Sequence, residues 1–363
     1  MKNLFNNSNI VTPKISIDQV LGTNYIRYER LVDMVNKAFV GSSANTVNVY
    51  IDLYSMLKPL YNNQGYNIED YIKLTSNIIN ICAHYREFFR TRYRVESKFF
   101  IVYSKNVPYI NNQFCYEYNA KNNHAFNSNK LIDDMIANNI ELLETLCPYL
   151  PDIHFIKGDF ESSVIMYDLI CRNELIDNSP HIVLTKDIYA YQLVATRDNV
   201  IIFRPKKSKG MDISYFINKN NLLYSYLTER KVKINEKYTM LMPEMLTLIM
   251  ALSSVTERNI KTMLNINTAI NMLIDAIKDY KIVNGYNSDM NAVWNALDHK
   301  KIKIPQISFE GRVKAIDIAF QHSIFINTPE CKDINITNLY DPKTVQDINN
   351  KYFANNPLDL NRL

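Results

Sequence analysis

Between residues 46 and 203 the chain alternates short, β-branched apolar runs with stretches of helical periodicity, and this alternation limits the folds open to it. The apolar runs are Val47–Ile51, Phe99–Tyr103, His154–Ile156, His181–Thr185 and Val200–Phe203. A run that is apolar at consecutive positions, rather than at every second one, reads as a strand covered on both faces. Between the runs, Ile68, Tyr71, Ile72, Thr75, Ile78, Ile79 and Cys82 recur at helical spacing, and residues 131–146 and 161–171 repeat the pattern. Strands and helices alternating at this pitch predict an α/β fold, a mainly parallel sheet with flanking helices.

After Gly210 the apolar spacing becomes helical, over 238–252, 259–280, 288–298 and 312–325. The expected organisation is an N-terminal extension over 1–45, an α/β domain over 46–210, a helical region over 211–326 and a polar tail over 327–363. The tail carries Pro329, Pro342 and Pro357, and its composition reads as flexible.

Composition removes several functional classes. With 7 glycines in 363 residues, and neither GxGxxG nor GxxxxGK[ST], the chain lacks the loops that cradle nucleotide phosphates. No GxSxG elbow or HExxH pair is present, and the 5 cysteines are scattered without a CxxC, as expected of free thiols in a reducing compartment. Lys and Arg exceed Asp and Glu by 41 − 37 = 4, which permits a polyanionic partner without requiring one. The longest apolar stretch, 245–252, is far below the ~20 residues of a membrane span, and the N-terminus lacks a signal-peptide core. The expected location is cytoplasmic or inside a phage virion, with no membrane partner. The bias toward Asn, Ile, Lys and Tyr (25 tyrosines) points to an AT-rich genome, phage or low-GC bacterial.

In a parallel sheet, functional side chains collect at the carboxyl ends of the strands. The runs here lead into Asp52, Ser104, the segment Lys157–Ser163, and Lys186-Asp187. Asp52, Glu161 and Asp187 are therefore the candidates to share one hard cation such as Mg²⁺. An Asp at a strand end is also an ordinary helix cap, so each has a structural reading beside the functional one.

The order of these segments resembles the 5′-nucleases, the family of flap endonucleases and of the 5′-exonuclease domains of bacterial DNA polymerases, with a PIN-like core. The resemblance runs over about residues 46–275. Val49-Tyr50-Ile51-Asp52-Leu53-Tyr54-Ser55 looks like the family's first strand and its Asp. Ile101-Val102-Tyr103-Ser104-Lys105 looks like Val-Val-Phe-Asp-Ala, and Gly158-Asp159-Phe160-Glu161-Ser162-Ser163 looks like Gly-Tyr-Glu-Ala-Asp-Asp. Val183-Leu184-Thr185-Lys186-Asp187-Ile188-Tyr189 parallels Ile-Leu-Thr-Ala-Asp-Lys-Asp, and 251–273 occupies the place of a helix–three-turn–helix.

The resemblance implies two-metal phosphodiester hydrolysis, which needs a dense carboxylate cluster. Position by position, only Asp52 and Asp187 keep their carboxylates. Ser104, Phe160, Ser162, Ser163, Tyr189, Val255 and Arg258 stand at the family's other acidic positions, with Glu161 one place from the family Glu. The expectation is a catalytically degenerate 5′-nuclease-like protein, a non-enzymatic phage structural or nucleic-acid-associated scaffold with protein assembly partners. No cofactor is expected. The alternatives are a minimal nuclease using Asp52, Glu161 and Asp187, with Mg²⁺ on Asp52 and Asp187, and an inactive factor that grips DNA.

Basic runs at 86–94 (Arg86, Arg90, Arg92, Arg94), Arg204–Lys209 and His299–Lys303 suit phosphate contact or a solvated charged face. Arg204, Lys206, Lys207 and Lys209 are the foremost nucleic-acid candidates because they follow a strand directly. The loop 104–129 holds Tyr109, Phe114, Tyr116 and Tyr118, suited to stacking bases or to packing on a protein.

Overall fold

The computed structural model describes residues 45–62, 71–104, 136–158, 160–204, 216–253, 264–280, 306–327, 336 and 338–363. The loop at 105–129, the cations Lys206, Lys207, Lys209 and His299–Lys303, and residues 254–263 of the stretch likened to a helix–three-turn–helix lie outside them, as does nearly all of the N-terminal extension.

The first apolar run forms β1 (Thr46–Asp52), which passes directly into α1 (Leu53–Asn62); α2 (Tyr71–Tyr93) then leads to β2 (Glu96–Ser104). The described part of α3 covers 136–146. Next come β3 (Ile153–Gly158), α4 (Ser162–Glu174), β4 (His181–Leu184), a 3₁₀ helix at Ile188–Val194, and β5 (Val200–Phe203). The sheet has the order β3-β2-β1-β4-β5-β6, with every pair parallel except the last. The sixth strand, β6 (Phe216–Ile217), lies beyond Gly210, where helical structure was expected. Its two residues are too few to carry a period, and only pairing with β5 makes them a strand.

Alternation along the strands divides the core into two layers. Val49, Ile51, Phe99, Ile101, Tyr103 and Leu184 face α1, α2 and α3. Tyr50, Phe100, Val102, Ile156, Val183 and Ile202 face α4 and the C-terminal helices. Those helices are α5 (Leu222–Glu229), α6 (Leu246–Leu252), α7 (Ile266–Tyr280), α8 (Gln306–Ile316) and α9 (Ile318–Phe325). The described helices of this region thus share one hydrophobic layer with the sheet. Its stretch at 238–245 forms short 3₁₀ turns ahead of α6, a difference from the continuous helix read there.

The polar C-terminal stretch is folded where it is described. Asp341 caps α10 (Pro342–Tyr352), accepting from the Thr344 amide at 3.0 Å, and Pro342 takes the first turn, where its missing N–H costs nothing. Val345, Phe353 and Leu358 enter the same layer as α2. Ser76 donates to the Asn356 carbonyl at 2.7 Å, Asp359 N to Asn80 Oδ1 at 2.8 Å, and Arg362 pairs with Glu87 at 2.7 Å. Buried Arg86, from the basic run at 86–94, donates to the carbonyls of Leu363 and Pro151. Its charge is directed inward, and Arg90 pairs with Glu96 at 3.1 Å.

The shortage of glycine leaves a trace in the backbone. Arg94, Asp152 and Lys231 hold positive φ angles of 56°, 51° and 57°, a region glycine enters without steric cost. One glycine has a packing reason: a Cβ on Gly158, at the end of β3, would lie 2.6 Å from Ile165 Cδ1 of α4. Among the described residues no helix is long and apolar enough to cross a membrane.

Candidate functional site at the strand ends

Strand order reverses between β1 and β4, because β2 and β3 extend the sheet on one side of β1 and β4 to β6 on the other. Such a switch point opens a crevice at the carboxyl ends of the strands. Asp52 ends β1 there and Thr185 follows β4. Both continue the Tyr50/Val183 face, as Ser104 continues that of Val102, so all three look toward the N-terminus of α4.

Asp52 is 1% exposed, and its carboxylate is surrounded by neutral donors. Oδ1 accepts from Ser162 Oγ at 3.0 Å and from the Ser55 amide at 3.3 Å, while Oδ2 accepts from Thr185 Oγ1 at 2.7 Å. The Ser55 bond is a helix cap, since Ser55 lies in the first turn of α1. Ser55 Oγ in turn accepts from the Lys186 amide at 3.1 Å, and Thr185 Oγ1 accepts from the Asp187 amide at 3.0 Å. Burial, and then the negative charge of Asp187, push the Asp52 carboxyl above its ordinary pKa; the hydrogen bonds from Ser55 and Thr185 oppose that rise.

Asp187 is half-buried and caps the 3₁₀ helix, accepting from the Tyr189 amide at 3.0 Å. Glu161 is buried at the N-cap position of α4, with no side-chain cap bond; its carbonyl accepts from the Val164 and Ile165 amides at 2.9 and 3.1 Å. Among the described residues no three His, Cys, Asp or Glu side chains lie close enough to hold a metal ion. The fold thus brings Asp52 and Asp187 to one end of the sheet, and among the described residues no third carboxylate joins them in an ion-sized cluster.

The serines that the resemblance sets at acidic positions take separate roles. Ser162 bonds to Asp52, whereas the buried hydroxyls of Ser104 and Ser163 have no hydrogen-bond partner among the described residues. Phe160 packs edge-on against Phe325 of α9, ring centroids 5.1 Å apart. Tyr189, 1% exposed, accepts a 2.7 Å bond from Gln321.

The basic candidates divide as well. Arg204 turns inward, pairing with Glu229 of α5 and donating to Tyr191 OH at 3.1 Å, so its charge is neutralised within the fold. Sequence reasoning passed over Ser55 and Thr185 as functional positions. The signal available for them was placement: Ser55 three residues past a capping Asp, and Thr185 one residue past a strand and on the same face as Asp52.

No family model matches the chain, and no curated protein does. Solved structures do. The bacteriophage T5 D15 protein, co-crystallised with metal ions, superposes over 83% of this chain and 98% of its own, with a TM-score of 0.50 at 10% identity. The chain has a 5′-nuclease fold. A complex of the T5 D15 flap endonuclease with DNA and metal ions covers 83% of this chain and 97% of that one, at a TM-score of 0.49 and 10% identity. The eukaryotic junction-resolving enzyme GEN-1, binding cesium, covers 93% and 68%, at 0.38 and 11%.

A 5′-nuclease fold raises the question of divalent metals, and the donors described here do not fit a two-metal centre. Such a centre needs several carboxylate oxygens with lone pairs turned to the ions. At Asp52 those lone pairs receive hydroxyl and amide protons, and the neighbouring strand ends in a serine.

Proposed function

We propose that this 5′-nuclease-fold protein acts by binding and not by hydrolysis, as a scaffold that meets protein partners in an assembly of the phage type. The observation that carries the reading is the Asp52 carboxylate, which is enclosed by Ser55, Ser162 and Thr185 as a hydrogen-bond acceptor. Fold alone does not fix function, and a nuclease framework without its ion cluster keeps its shape and its surfaces. Supporting this, Phe160 and Tyr189 build core contacts at two of the positions where the family has acids.

Contact with nucleic acid belongs to the same proposal and falls to Lys206, Lys207 and Lys209, since Arg204 is engaged with Glu229. Neutralising the three lysines should weaken DNA binding and flatten its salt dependence. Binding that is unchanged would leave protein assembly as the remaining role.

The deciding experiment is a cleavage assay on flap and single-stranded DNA with Mg²⁺ or Mn²⁺, with Asp52→Ala and Asp187→Ala as controls. The expected result is no metal-dependent product. Cleavage abolished by either substitution would establish instead a minimal nuclease using Asp52, Glu161 and Asp187.

A further inference from the structure

We infer that the hydroxyl network around Asp52 is a metal-free crosslink that closes the switch-point crevice, joining segments that a bound cation would otherwise have to hold together. This rests on the non-catalytic reading and adds to it a stated role for Ser55, Ser162 and Thr185.

The direction of each hydrogen bond supports the assignment. A hydroxyl has one proton to give and two lone pairs with which to accept. Thr185 Oγ1 accepts the Asp187 N–H at 3.0 Å and gives its proton to Asp52 Oδ2 at 2.7 Å. Ser162, at the start of α4, gives its proton to Oδ1 at 3.0 Å. Ser55 Oγ accepts the Lys186 N–H at 3.1 Å and lies 3.3 Å from the Asp52 carbonyl and 3.1 Å from Thr185 Oγ1, either of which can take its proton. Asp52 therefore connects the end of β1, the first turn of α1, the exit of β4 and the start of α4. Each of its hydrogen-bond donors among the described residues is neutral.

A cation at this point would join the same segments by the opposite polarity, drawing lone pairs toward itself. Three donors already occupy Asp52, two on Oδ1 and one on Oδ2, so a cation would find only the second lone pair of Oδ2, in a site 0% exposed at Thr185 and 1% at Asp52. Hydrogen bonds to a carboxylate in such surroundings are among the stronger ones in a protein. The described donors hold the four segments together with no ion among them.

The test is thermal unfolding of the full chain in EDTA, in Mg²⁺ and in Mn²⁺, for wild type, Asp52→Ala, Thr185→Val, Thr185→Ser and the Asp52→Ala/Thr185→Val pair. Wild type should melt at the same temperature in all three conditions. Thr185→Val should lower the midpoint by about 5 °C or more, and Thr185→Ser, which restores the hydroxyl, should recover most of it. The double variant should lose less than the sum of its parts, because the two residues share one interaction. If Asp52→Ala does not fold, the Thr185→Val and Thr185→Ser comparison decides alone. A wild-type midpoint raised by Mn²⁺, with the rise abolished in Asp52→Ala, would overturn both the crosslink and the non-catalytic reading. Losses that are additive or absent, in a protein that cleaves nothing, would overturn the crosslink only.

Discussion

The Gln321 side-chain amide donates to the Tyr189 hydroxyl at 2.7 Å, tying the turn that carries Asp187 to helix α9. Gln192, from the same turn, donates to the Ile316 carbonyl at 2.9 Å and accepts from Thr247 at 2.9 Å and the Ile318 amide at 3.4 Å. Two glutamines thus bond the strand-end turn to α6, α8 and α9. The helical region anchors the turn that follows Asp187.

Tyr189→Phe should cost about 1 kcal/mol, since Gln321 keeps its bond to the Ala315 carbonyl at 2.6 Å. Gln192→Leu should cost about 2–3 kcal/mol, because it strands a buried carbonyl, an amide and the Thr247 hydroxyl together. Urea unfolding of the two variants should return that order.

Two buried groups give opposite pH dependences. Burial raises the Asp317 carboxyl to about 6. The folded state then binds more protons than the unfolded between about pH 4 and 6, so stability falls as pH rises through that window. Asp317→Asn should abolish the fall and add on the order of 3 kcal/mol above it.

Burial lowers His181 to about 3, with its Nδ1 held 3.0 Å from Tyr50 OH. Here the unfolded chain gains the proton first, so stability is full above about pH 6.5 and is lost as pH falls toward 3. His181→Gln should flatten that acid limb. Between about pH 4 and 6 the two effects offset each other in the wild-type chain, so chemical unfolding of the two single variants from pH 4 to 8 separates them.

The ion pair of Arg204 with Glu229, each side chain 15% exposed, predicts a stability phenotype where the sequence pointed to a binding one. Glu229→Gln should destabilise by about 2 kcal/mol or more, by leaving a mostly buried guanidinium without its counter-charge. DNA affinity of the folded variant should be unchanged, which filter binding or fluorescence anisotropy can check.

Phe353 is fully buried against the α2 layer. Phe353→Ala should cost about 3–5 kcal/mol, and limited proteolysis of that variant should begin in the C-terminal segment.

Lys231 is exposed at a φ of 57° after α5, where a left-handed residue closes the helix. Lys231→Gly should stabilise the chain by about 0.5–1 kcal/mol, read as a shift of the urea midpoint at constant slope.

The sequence by itself determined the α/β class, the strand positions and the placing of Asp52, Ser104 and Asp187 at strand ends. These follow from local rules, a consecutive apolar run for a buried strand, a period near 3.6 for a helix, and a polar residue where an apolar run stops. It also carried the nuclease-like segment order that the superposition supports. What the polar residues do was decided only in three dimensions. Asp52 and Thr185 stand 133 positions apart, yet share a 2.7 Å bond because β1 and β4 are neighbours at the switch point. The pairing of Arg204 with Glu229, the docking of α10 on α2, and the β6 strand likewise depend on partners distant in the chain. A side chain's chemistry is set by the donors and charges around it, and for a buried carboxylate most of those come from elsewhere in the sequence.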